Sequence, residues 1–334
     1  VNLIFIFGEE KMKSSSNLNP LVHAHASINH RLPRILHLVL FGILILSLVG
    51  CSSATATVPA AETGAATEAA AAPAESSMTD ETPAATGAAG VDAAITLKVG
   101  VSPVPHGDIL RFVQENLAAK AGLNLDIVEF SDYVQPNTAV AEGELDANFF
   151  QHVPYLNDFN KEHSTNLVPV VAVHIEPLGI YSKKIKALAD LPDKAQIAIP
   201  NDATNGGRAL NLLQANGLIT LKEGAGTSAT VKDITANPKN LKITELEAAQ
   251  LVRSLDDVTA AVINGNYALE GNLIPSKDAL ALENGKDNPY ANVLVVNSGH
   301  ENVKGIQILA KLLTSPEVKK FIEDKYQGSV IPAF

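Results

Sequence analysis

The sequence predicts an α/β protein whose globular part folds as two lobes around a ligand cleft. Three observations carry this. From Leu97 onward, short apolar strands alternate with helical stretches. The rhythm restarts after Tyr181, as a second lobe requires. Turns rich in Asn, Gly and aromatic residues follow the predicted strand ends, where such sheets bind their ligands.

The elements follow in chain order. Leu97–Val101 reads as a buried strand, and Ile109–Ala121 as a helix stopped by Gly122. Leu125–Phe130 alternates with a period of two, the pattern of a half-buried strand. Next come a short helix over Asn137–Glu142, a strand over Leu145–Phe150, a helix over Tyr155–His163 and a strand over Leu167–Val173. The second series is strand Gln196–Pro200, helix Asn205–Asn216 before Gly217, strand Leu241–Leu246, short helix Glu247–Ser254 and strand Ala260–Ile263. Asn292–Asn297 returns as a strand, and two helices close the chain, Asn302–Leu313 and Pro316–Tyr326, the latter with proline in its first turn. This βαβ rhythm predicts mostly parallel sheets flanked by helices.

The chain has 334 residues, but its first 95 read as something other than fold. Ile35–Val49 is an apolar run broken by His37 and preceded by Arg31 and Arg34. It is shorter than the ~20 residues a membrane-spanning helix needs, and suits a secretory signal. The run ends in Leu48-Val49-Gly50-Cys51, which resembles a bacterial lipobox, with Cys51 as the lipidation point. Residues 1–30, with Glu9 and Glu10 and the apolar Val1–Phe7, do not suit a signal, so a start placed upstream of the true one is expected. Residues 52–94 hold 17 Ala and six acidic residues with no Lys or Arg. With no apolar periodicity to bury, they read as a solvated tether.

Composition excludes several functions. The formal net charge is −11, against a nucleic-acid binder, which needs basic surface. A single cysteine excludes a disulfide framework and any CxxC metal or redox site. His106, His152, His163, His174 and His300 show neither i,i+4 pairing nor an HxH pattern, so no metal site is expected. No nucleophile–base pair or carboxylate dyad stands out, and no phosphate-binding glycine loop is present. The expectation is a non-enzyme without a cofactor.

Four stretches remain as site candidates. In Asn148-Phe149-Phe150-Gln151-His152-Val153-Pro154-Tyr155-Leu156, a strand runs into a proline-initiated helix carrying an aromatic and imidazole cluster. A ring can hold a thioether by ~0.3–1.5 kcal/mol, although a core Phe and a helix-end His explain the same residues. Pro200–Arg208 follows a strand and opens a helix. Its free N–H groups, the close approach allowed by Gly206 and Gly207, and the guanidinium of Arg208 suit a carboxylate, with a plain cap at Asp202 or Thr204 as the alternative. Asn264-Gly265 lies past another strand end, either as a ligand-facing amide or as an Asn-Gly β-turn. Tyr133 follows the second strand.

Taken together, the run Leu97–Phe334 resembles the methionine-binding (NlpA-type) substrate-binding lipoproteins of ABC importers. The resemblance rests on Asn148–Leu156, Tyr181–Leu188, Pro200–Arg208, Asn237–Glu247, Arg253–Asp257 and Ala261–Asn264, in order and beside a lipobox. It departs at Glu176, where family members often carry an aromatic or polar residue before the proline. The resemblance implies a two-lobed periplasmic-binding-protein fold of the type 2 kind, with a signal at 1–50, a lipid-anchored linker at 51–95, lobe I at 96–181 plus 291–334 and lobe II at 182–290. It implies that Arg208 and Asn205 hold the ligand carboxylate, that Asn264 binds the amino or carboxylate group, and that Tyr133, Phe150, His152 and Tyr155 form the thioether pocket. It implies methionine as ligand, a permease and its ATPase subunit as partners, and anchorage on the extracytoplasmic face of a membrane. Another amino acid, a Met dipeptide or a sulfonate on the same fold is the alternative, with a metal-binding importer component or a periplasmic lyase further off.

Overall fold

Strand pairing divides the chain between two main sheets. The structure, a computed structural model, describes residues 94–285 and 288–334. The expected signal, the Cys51 lipidation point and the tether therefore lie outside the described residues. The strands are β1 (Ile95–Val101), β2 (Leu123–Glu129), β3 (Ala147–His152), β4 (Leu167–Ile175), β5 (Gly179–Tyr181), β6 (Gln196–Pro200), β7 (Thr220–Leu221), β8 (Ile234–Ala236), β9 (Lys242–Leu246), β10 (Ala260–Ile263), β11 (Ala281–Leu282), β12 (Ala291–Asn297) and β13 (Ile331–Pro332). The helices are α1 (Asp108–Val113), α2 (Gln135–Ala141), α3 (Val153–His163), α4 (Ala203–Ala215), α5 (Leu251–Ser254), α6 (Gly265–Glu270), α7 (Pro275–Asp278), α8 (Lys304–Leu313) and α9 (Pro316–Tyr326).

The first sheet runs β13-β4-β12-β3-β1-β2 and the second β11-β5-β10-β6-β9. Both are mixed, which corrects the expectation of mostly parallel sheets. β1 pairs parallel with β2 and β3, but β12 is antiparallel to β3 and β4, and β13 is antiparallel to β4. The reason is connectivity. β4 carries the chain out of the first sheet and β12 brings it back, so strands that leave and return side by side must oppose each other. In the second sheet β6 pairs parallel with β9 and β10, while β5 is antiparallel to β10 and β11.

Helices cover both faces of the first sheet, so its strands are buried on either side and read as near-continuous apolar runs. β12 shows the pleat directly. Leu294 and Val296 join the cluster that holds Val99, Leu110, Phe149 and Ile322, while Val293 and Val295 join Val140, Leu156 and Phe159 on the other face. β10 divides in the same way: Ala260 and Val262 face one cluster, Ala261 and Ile263 another. This packing fixes the strand ends at which the cleft is built.

Candidate functional site

A small cleft lies where the two sheets meet. Tyr133, Phe150, His152, Tyr155, Asn205, Arg208 and Asn264 all line it, so the fold gathers every residue singled out in the sequence.

One wall comes from the first sheet. β3 runs two residues beyond the expected end at Phe150, reaching His152, and the pleat puts Phe150 and His152 on the face opposite the core residue Phe149. His152 is then the N-cap of α3: its Nδ1 accepts from the Tyr155 N–H at 3.2 Å. This bond places the imidazole proton on Nε2, which donates to Asn205 Oδ1 at 3.2 Å. Burial, with Arg208 nearby, lowers the His152 pKa to about 3, so the ring is neutral. Tyr155 Oη donates to the Tyr133 carbonyl at 3.0 Å. The Tyr133 ring lies 5.8 Å from Phe150 and 5.7 Å from Tyr155, forming a three-ring cage.

The other wall comes from α4 and α6. Asn205 and Arg208 stand three residues apart on one face of α4. Asp202 caps that helix by accepting from the Asn205 N–H at 2.9 Å. The cap that the sequence offered as the alternative is therefore present, with the chain's own carboxylate taking one N–H of the helix N-terminus. Gly206 and Gly207 are also reassigned. A Cβ on Gly207 would sit 2.2 Å from the Thr227 carbonyl oxygen, so this glycine allows α4 to pack on the turn at Gly226–Ser228 rather than admitting a ligand. Asn264 is not in a β-turn. It occupies the N-cap position of α6, yet its side chain makes no capping bond. Instead its Nδ2 donates to Asn205 Oδ1 at 2.9 Å, and its buried Oδ1 has no partner among the described residues. An unpaired buried acceptor is costly, and a bound donor would satisfy it.

Arg208 is more committed than the sequence suggests. Its Nε donates to Glu283 Oε1 at 2.9 Å and Oε2 at 3.1 Å, and its Nη2 donates to the Glu176 carbonyl at 2.9 Å and to Glu283. Its guanidinium lies 4.1 Å from the Tyr290 ring centroid. A ligand carboxylate therefore cannot use the Nε–Nη2 fork and is left the Nη1 side. Glu283 and Tyr290 escaped the sequence reading because nothing near them in the chain marks a site. Glu176, Asn266 and Asn292 also line the cleft, and of these only Glu176 stood out in the sequence.

Two α/β lobes with a small polar and aromatic cleft between them define a binding protein of the periplasmic type. The chain belongs to the NlpA lipoprotein family, whose model matches residues 97–334. The membrane lipoprotein TpN32 of Treponema pallidum is 44% identical over 239 residues, covering 71% of this chain and 88% of that protein. The D-methionine-binding lipoprotein MetQ of Escherichia coli K12 is 43% identical over 237 residues, covering 70% of this chain and 87% of that protein. The solved structure of a nutrient binding protein from Burkholderia cenocepacia bound to methionine is 49% identical, with a TM-score of 0.69 over 71% of this chain and 100% of that one.

Proposed function

We propose that this chain is an extracytoplasmic substrate-binding lipoprotein that captures methionine and delivers it to an ABC importer. The observation that carries the reading is the division of the cleft into two chemistries. The Tyr133, Phe150 and Tyr155 rings suit a thioether, and Arg208 with the unpaired Asn264 Oδ1 suits the charged end of an amino acid. Relatives named for methionine binding support it.

Capture works by population shift. A ligand touching both walls stabilises the closed state over the open one by the difference in its contacts. Direct bonds already join the walls: Tyr133 Oη donates to Asn266 Oδ1 at 2.5 Å and Tyr267 Oη to the Ser131 carbonyl at 3.2 Å. No bond of the ligand is made or broken. The pairing of β5 with β10 of the second sheet supports a lobe boundary ahead of Gly179 in place of 182. The closed form docks on a permease driven by its ATPase subunit, and acyl chains on Cys51 hold the protein at the membrane. Among the described residues no helix is long and apolar enough to cross a membrane.

Mass spectrometry of small molecules released when the purified protein is denatured tests the assignment. Methionine is the expected species; a sulfonate or a metal ion in its place overturns the reading.

A further inference from the structure

Between α2 and β3, behind the aromatic wall, lie three buried carboxamides that the proposed function does not use: Asn137, Asn148 and Gln151. Neither Asn137 nor Asn148 lines the cleft. Burying amides costs free energy unless their polar atoms are paired. Apolar packing already holds α2 against the sheet, with Ala139 and Val140 in one cluster with Leu145, Val293 and Val295. The amides must therefore add something that apolar contact does not.

Their polar atoms are all paired. Asn137 and Gln151 form a reciprocal pair: Asn137 Nδ2 donates to Gln151 Oε1 at 2.8 Å, and Gln151 Nε2 donates back to Asn137 Oδ1 at 2.5 Å. Asn148 Nδ2 donates to that same Oδ1 at 2.8 Å and to the Pro136 carbonyl at 3.1 Å. Gln151 Nε2 also donates to Asn148 Oδ1 at 2.9 Å. A satisfied network of this kind fixes one arrangement of its neighbours, whereas apolar contact is non-directional.

The network holds two features of the aromatic wall. On β3 it spans a bulge. β12 pairs Leu294 with Phe149 and the preceding residue, Val293, with Gln151, so Phe150 is left without a partner in that ladder. A bulge re-aims the side chain it carries, and the Asn148–Gln151 bond closes over this one. On α2 the network grips the first turn, at Pro136 and Asn137. That turn is tied to the loop of Tyr133, because Asp132 Oδ1 accepts from the Val134 and Gln135 N–H groups at 2.8 and 2.9 Å. The rings of Tyr133 and Phe150, 5.8 Å apart, thus stand at the two ends of one hydrogen-bonded path.

We propose that Asn137, Asn148 and Gln151 are positioning residues, an amide clamp that sets the Phe150 bulge against the Tyr133 turn and so gives the cleft its shape for a thioether side chain. This rests on the methionine reading above and adds residues, two of them outside the cleft, that enforce it.

The test is Asn137→Ala in the full chain, which takes away three of the network's five bonds. Two readouts are taken at a temperature where the variant is fully folded, so that lost stability alone moves neither. One is the nuclear Overhauser contact between the Tyr133 and Phe150 rings without ligand. The other is calorimetric titration with methionine. The ring contact should weaken in the variant, and methionine affinity should fall by roughly 3- to 100-fold, the span for a thioether displaced from two rings. A ring contact kept as in the wild type, or a methionine affinity within about twofold of it, overturns the proposal. If the alanine variant does not fold, Asn137→Asp, which loses the bond to Gln151 Oε1 and keeps the shared oxygen, should move both readouts the same way; either one staying at its wild-type value overturns the proposal. A wild type that does not bind methionine is instead a failure of the methionine reading. The ring contact, which needs no ligand, and titration with whichever amino acid the protein releases then decide the clamp.

Discussion

The two walls of the cleft solve different problems. On the first-sheet side, Tyr133, Phe150 and Tyr155 offer ring faces and edges, and the imidazole of His152 is neutral. On the α4–α6 side, Asn264 is bonded to Asn205 beside Arg208, and one buried acceptor is unpaired. The aromatic wall has its polar atoms paired, with Tyr133 and His152 bonded across the cleft to Asn266 and Asn205, while Asn264 on the polar wall keeps an unpaired acceptor. Under the proposed function, side-chain choice falls to the first wall, through dispersion and shape, and grip falls to the second, through charge and bond count. The only direct bond between these two sets of residues is that from His152 to Asn205.

If the walls divide the work in this way, damage to the polar wall costs most. Arg208→Ala should weaken ligand binding by ~1.5–3 kcal/mol, the span of a charged hydrogen bond. It should also destabilise the fold by ~3 kcal/mol or more, because Glu283 is left without its cation. Titration calorimetry and denaturant unfolding read the two effects separately. Unchanged affinity beside a lowered stability would reduce Arg208 to a structural partner of Glu283.

Damage to the aromatic wall should be smaller and selective. Phe150→Ala removes one ring of the cage and should cost methionine about 1 kcal/mol of affinity, as expected for the loss of a sulfur–aromatic contact. Binding of an amino acid too short to reach the cage should barely change. Equal loss for long and short side chains, measured by competition, would break the proposed division between the walls.

The smallest effect concerns pH. His106, His152 and His174 have folded pKa values of about 4, 3 and 3, below the ordinary 6.5. The unfolded chain takes up these protons first, so their contribution is full above pH 6.5 and falls away as the pH drops towards 3. Glu176 and Asp202, raised by burial, act in the opposite sense and soften the slope. His152→Asn, which keeps a good N-cap for α3, should lose less melting temperature than the wild type between neutral pH and about pH 4. Parallel curves for the two proteins would mean that His152 is not held neutral.

Much of this architecture was legible in the sequence, and the exceptions have physical causes. β6, β10 and α9 begin and end where apolar runs, Gly and Pro said they would. All seven candidate residues converge because each lies at or just past a strand end, and strand ends are what this topology brings together. The antiparallel placement of β4 and β12 was not legible, because it depends on where the chain returns after more than a hundred intervening residues. The role of Gly207 was misread for a related reason: the Thr227 backbone it packs against is remote in the chain. Glu283 and Tyr290 stayed hidden because their function is set by Arg208, a partner that local patterning cannot reveal.

The most direct test is a crystal structure of the protein with methionine bound. The account predicts a ligand spanning the walls, with its carboxylate at the Nη1 side of Arg208 and its thioether among the rings of Tyr133, Phe150 and Tyr155. A methionine bound elsewhere, or in the cleft with its thioether against Arg208 and its charged end among the rings, would contradict it.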